Sequence, residues 1–183
     1  MKKIKSFKTK DVAIQYRMPS GFPGDVNRTH PVDILPRLAD ATNPPTLPGQ
    51  GVIIDGTSHD IRKLITGDGT GSIALNGITV RTYPFQQAQT SVNYGAVDLG
   101  ASALPVAGEV DVMTRGYMIV QVPAGQTPQP GGTVYIWNAA SSGAHVQGSF
   151  EATATGGSTA TISNAVWNSE ADANGYAEIA FNI

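Results

Sequence analysis

Glycine and proline punctuate this chain from end to end, 21 and 12 of them among 183 residues. Each one weakens or breaks a helix. The chain is therefore expected to turn often and to build from short strands rather than long helices. Strand–helix alternation is absent, which argues against parallel α/β architectures. Many short apolar runs with turn residues between them point to an all-β sandwich or barrel.

A hydrophobic fraction of 40% over this length suffices for a core without disulfides or metals. No repeat is visible, so one domain with an ordered arm is expected. There is no cysteine. Disulfide scaffolds, CxxC redox motifs, thiolate metal sites and cysteine nucleophiles are excluded. The opening MKKIKSFKTK is charged but lacks an apolar stretch after it, so no secretory leader is expected. No run approaches the roughly 18 apolar residues of a membrane span. A soluble protein made in the cytoplasm, without a membrane role, follows as the expectation.

Charged residues are scarce, at 14%, against about 25% in typical globular domains. Their order along the chain is uneven. Residues 1–17 carry Lys2, Lys3, Lys5, Lys8, Lys10 and Arg17 against Asp11 alone. Residues 116–183 carry four acids (Glu151, Glu170, Asp172, Glu178) and no Lys or Arg. A basic arm on an acidic body predicts that the arm meets an acidic surface. A solvated terminus is the plainer alternative.

Residues 1–50 show no sustained periodicity. GFPGDVNRTHP and ATNPPTLPGQG are rich in Pro, Gly, Asn and Asp, and Pro36 argues against a helix at Val32–Leu38. The segment reads as an extended arm, followed by a β-domain over 51–183. Such a length of irregular chain is uncommon inside a compact domain. Yet it holds Phe22, Val26, Val32, Ile34, Leu35 and Leu38, more apolar residues than a disordered linker would. Extended apolar chain needs a surface to lie on. This makes Phe22, Ile34, Leu35 and Leu38 interface candidates, together with Lys2, Lys3, Lys5 and Lys8.

Strands are predicted at Gly51–Asp55 and Ile61–Ile65. A hairpin is predicted around Asn76-Gly77, which lies between apolar runs. VDVMTRG and YMIVQV give two runs joined by Arg115-Gly116 as a turn or bulge. Gly132–Trp137, Ala144–Phe150 and the alternating YAEIAFNI complete the strands. Residues 86–107 read as a long loop.

The residues offer little chemistry. His30, His59 and His145 are far apart in sequence and show no metal-ligand spacing. His59 beside Asp60 reads as a solvated turn residue, because strand neighbours point to opposite faces. Gly67-Asp-Gly-Thr-Gly-Ser72 lacks the lysine of a phosphate loop and the ligand spacing of a calcium loop. It reads as a tight turn. No GxSxG motif or convergent carboxylate pair stands out. Trp137 and Trp167, with Tyr94, Tyr117 and Tyr135, suggest either a sugar-stacking platform or core packing, and core packing is the favoured reading. No catalytic residue, metal or cofactor is expected.

The ordered series GFPGDVNRT, ATNPPTLPGQGVIID, VRTYP, VDVMTRGYMIVQV, GGTVYIW, GSFEA and YAEIAFNI resembles the structural cement protein family of tailed bacteriophages. The resemblance spans most of Gly21–Ile183. It implies a sandwich or barrel of jelly-roll type, no catalytic residues, no cofactor and no direct nucleic-acid contact. It also implies a place on the outside of the virion capsid, at joints between major capsid protein subunits, as a homo-oligomer (dimer or trimer). The competing expectation is a carbohydrate-binding or tail-fibre adhesin domain, which predicts sugar binding through exposed aromatics such as Trp137 or Trp167.

Overall fold

The computed structural model of the protein describes residues 21–67, 71–81 and 108–183. These residues hold ten strands and no helix: β1 (Asp33–Ala39), β2 (Gly51–Asp55), β3 (Ser58–Leu64), β4 (Ser72–Ile73), β5 (Gly77–Thr79), β6 (Glu109–Gln121), β7 (Thr133–Trp137), β8 (Phe150–Glu151), β9 (Thr159–Trp167) and β10 (Tyr176–Phe181).

Five of the strands close on themselves. β1 pairs with β3, β3 with β2, β2 with β5, β5 with β6, and β6 returns to β1. Closure removes the open edges that would otherwise recruit other chains. A barrel this small is filled by its own side chains. Val52, Val110 and Val112 form that filling, with Ala39 packed against them.

β6 belongs to both halves of the molecule. Its first part, up to Arg115, pairs with β1 and β5. Its second part, from Gly116, pairs with β10. Next to β10 comes β9, then β7 and β8, while β4 lies parallel beside the first part of β9. The larger core joins the barrel to this second sheet through Ile78, Met113, Met118, Ile136, Phe150, Trp167, Ile179 and Phe181, all buried.

Gly116 marks the change of partner. Its φ is +139°, a conformation that side chains rarely adopt. A Cβ there would stand 2.9 Å from Val32 Cγ2 and 3.1 Å from Met113 Sδ. The structure therefore shows one kinked strand where the sequence suggested a turn or bulge between two.

Several local expectations gave way to long-range pairing. Residues 33–39 are a strand and not irregular chain; β1 pairs with β6 over Asp33–Leu38 and with β3 at Leu38 and Ala39. Upstream, Gly24, Asp25 and Asn27 hydrogen-bond to Tyr117 and Ile119 of β6, and Val26 forms a bridge to Met118. The Asn76-Gly77 hairpin does not form. β4 before it joins β9, whereas β5 after it joins β2 and β6. Of Ala144–Phe150 only the end is strand. Residues 142–145 make a tight turn closed by the Ser142–His145 bridge. The residue 86–107 loop and Asp68 lie outside the described residues.

The β2–β3 hairpin turns through Gly56 and Thr57, and Asp55 caps it. Hydrogen bonds from the Thr57 hydroxyl first, then from Lys63 Nζ (3.1 Å) and the Thr57 amide (3.2 Å), hold its carboxyl at about 2. A lowered folded-state value stabilises the fold above the unfolded value of 3.8. That stabilisation is lost as pH falls from about 4 through about 2. Asp55→Asn is expected to remove this part of the acid-limb loss. A native stability curve with the same slope as the variant's between pH 4 and 2 would contradict it.

Candidate docking surfaces

Single exposed apolar side chains are ordinary on a folded surface, so those fixed by regular structure or gathered at one corner carry the information. Among the described residues these are Phe22, Leu35, Leu38, Leu47, Val166 and Ile183. Leu35 (40% exposed) and Leu38 (51%) both stand on β1. β6 pairs with the strand from Asp33 to Leu38, and β3 adds a second partner at Leu38 and Ala39. Backbone pairing with β6 therefore fixes where both side chains stand. Ile34, between Asp33 and Leu35, is half-buried and packs against the larger core. The structure thus separates the interface candidates: Leu35 and Leu38 are both exposed, on opposite faces of β1, whereas Ile34 packs against the core.

Phe22 occupies a second surface. It lines a groove of about 410 Å³ with Pro23, Leu47, Pro48, Pro123 and Val146. The Arg81 guanidinium lies 4.5 Å from the Phe22 ring centroid and 3.6 Å from Asp25. The backbone fixes this corner too. Gly24 accepts from the Arg81 amide, and Gly49 donates to Thr79. Buried Gln50 ties it further: its Oε1 accepts from the amides of Thr46 and Leu47, and its Nε2 donates to the Gln147 carbonyl. The other sequence candidates, Lys2, Lys3, Lys5 and Lys8, lie outside the described residues.

Among the described residues neither tryptophan is exposed as a glycan-stacking platform would need, and Tyr94 lies outside those residues. Trp167 is 1% exposed and Trp137 6%. Trp137 donates its indole N–H to the Ala140 carbonyl and stacks on His145 with ring centroids 4.3 Å apart.

His145 itself was missed from sequence. Its Nδ1 lies 2.6 Å from Oε1 of Glu151, a completely buried carboxyl. Gln126 Nε2 donates to the other oxygen at 3.0 Å, while Gln126 Oε1 accepts from the Ala152 and Thr153 amides. A buried polar group is tolerable when each atom finds a partner. This network pins the turn at 142–145 and the loop containing Gln126 to β8. Its atoms are committed to one another, which makes it a structural tie. His59 and Asp60 approach to 3.8 Å at the surface, and both are largely exposed. Among the described residues no three His, Cys, Asp or Glu side chains converge as a metal site would require.

A closed β-barrel braced by a second sheet, with rigid apolar side chains displayed outward, defines a protein of surfaces rather than of pockets. Residues 11–182 match the structural cement protein family, described by E217 gp24 and Pam3 gp6. The chain belongs to the structural cement protein family and is a capsid cement or decoration protein of the virion. No curated protein matches its sequence. The fold resembles a chain from the structure titled "The capsid of Myoviridae Phage XM1", with 15% identity and a TM-score of 0.66. That likeness covers 95% of this chain and 98% of the other.

Proposed function

We propose that this cement protein docks on the outer face of the shell at joints between major capsid protein subunits, through Leu35 and Leu38 of β1 and the groove beside Phe22. It acts by binding, without catalysis. The pair of exposed leucines on a strand that β6 holds from Asp33 to Leu38 supports this most. Burying ~400 Å² of apolar surface at ~25 cal/mol/Å² is worth on the order of 10 kcal/mol gross, before association and ordering costs. Only part survives as net affinity. Repeated at every joint of a closed shell, it still gives large collective stabilisation.

The basic segment with Lys2, Lys3, Lys5 and Lys8 meets an acidic capsid surface, so its contribution weakens as salt rises. The bound form is a dimer or trimer. The direct test is Leu35→Asp with Leu38→Asp. The purified double variant is expected to keep its far-ultraviolet circular dichroism and its melting temperature within a few degrees, because both side chains already face water. Its occupancy on shells is expected to fall at least about tenfold, the equivalent of ~1.4 kcal/mol. A folded double variant that decorates shells like the native protein would refute the docking role of β1.

A further inference from the structure

We propose that the Arg37–Arg62 pair at the barrel is a binding site for one oxyanion, a carboxylate or a phosphate group. Arg62 stands on β3 and is 2% exposed. Its Nη1 donates to the carbonyls of His59 and Ile61. Arg37 stands on the neighbouring strand β1, its side chain 19% exposed. In register, Arg37 opposes Val110 of β6 and Ala39 opposes Arg62 of β3. Cross-strand partners share a face, and Val110 belongs to the barrel filling. Both arginines therefore stand on the face that the barrel encloses.

The charges there do not balance. Asp60 lies 3.6 Å from Arg37 Nη1, is 69% exposed, and is also 3.8 Å from His59. Neither distance is a hydrogen bond. Among the described residues no other acid makes an ion pair with Arg37 or Arg62. The Nε atoms of both arginines are buried and have no hydrogen-bond partner. Burial first, and the neighbouring Arg37 charge second, push the Arg62 guanidinium below the usual arginine value, with Asp60 opposing. Arginine stays charged even so. A buried cation beside a like charge is costly, and apolar side chains would fill a barrel without that cost. The orphaned Nε–H groups belong to the edges with which guanidinium grips two oxygens in one plane. A carboxylate or phosphate group supplies both the oxygens and the missing negative charge.

The site is read out on the isolated full chain, so its test is independent of capsid docking. Arginine Nε–Hε signals of labelled protein are followed by nuclear magnetic resonance during titration with sodium acetate, then sodium phosphate, against sodium chloride at equal ionic strength. The signals of Arg37 and Arg62 are expected to shift and saturate with at least one oxyanion and not with chloride. Tighter acetate binding assigns the site to a carboxylate, tighter phosphate binding to a phosphate group. Arg37→Gln, at the less buried position, is expected to weaken binding about tenfold or more while its amide spectrum stays folded. Arg62→Met provides a second check if it folds. Shifts no larger than in chloride, or an unchanged affinity in folded Arg37→Gln, would overturn the assignment.

Discussion

Phe150→Ala is expected to lower the unfolding free energy of the isolated protein by about 3–5 kcal/mol, the usual cost of removing a buried aromatic ring. The ring is completely buried although its strand, β8, has only two residues. It does more than fill the second sheet. A Cβ placed on Gly51 of β2 would lie 3.2 Å from Phe150 Cζ, 2.6 Å from Ile136 Cδ1 and 2.8 Å from Leu75 Cδ1. The ring thus reaches the barrel wall from the opposite sheet. Its loss leaves a cavity where the two halves meet, and close packing on both sides limits collapse into it. Urea unfolding should show a lower midpoint with little change in slope. A midpoint within experimental error of the native value would mean that the two halves are not coupled there.

Gly77→Val is expected to cost about 3 kcal/mol, the upper range for overpacking a core. Gly77 begins β5, where the chain leaves β4 and enters the barrel. A Cβ at this position would fall 2.1 Å from Val112 Cγ1 and 3.0 Å from the Met113 carbonyl oxygen. Val112 is fully buried in the barrel filling and has a stiff, branched side chain, so it has nowhere to turn. Relief therefore requires β5 to move away from β6, which breaks the pairing of Ile78 with Met113 that closes the barrel. Melting temperature and urea midpoint should both fall. Gly77→Ala should follow the same direction with a smaller change. A valine variant as stable as the native protein would show that the barrel is not closed at β5.

The parts of this fold that sequence made legible are those whose pattern is local. Ala177, Ile179 and Phe181 alternate along the last strand, and all three are completely buried. β2 and β7 follow from short β-branched runs bounded by turn residues, whereas β3 starts at Ser58, three residues before the expected Ile61. The 33–39 strand was obscured by Pro36, which signals a break yet is tolerated here opposite Asp111. Its apolar residues nevertheless marked it as chain in need of a surface. In the structure Leu35 and Leu38 are exposed, whereas Ile34 packs against the core. Asn76-Gly77 carries the local signature of a hairpin, but β4 and β5 each find partners far along the chain. No local rule reports such pairings. The His145–Glu151 contact spans a turn and a strand start only six residues apart. No periodicity marks it, because its burial depends on Trp137 and Gln126 from other parts of the chain. The arginine pair was equally silent: Arg37 and Arg62 meet only through the register of two parallel strands.

Whether this chain stabilises a phage shell by binding it is decided by adding the purified protein back to expanded capsids that lack it. The capsids are heated in steps, and rupture is followed by light scattering while bound protein is counted by electron microscopy of the shells. Ordered density on the outer surface and rupture at a higher temperature are expected, both lost together with the Leu35→Asp, Leu38→Asp variant. Shells that bind none of the protein, or that bind it and rupture at the same temperature as bare shells, would contradict it.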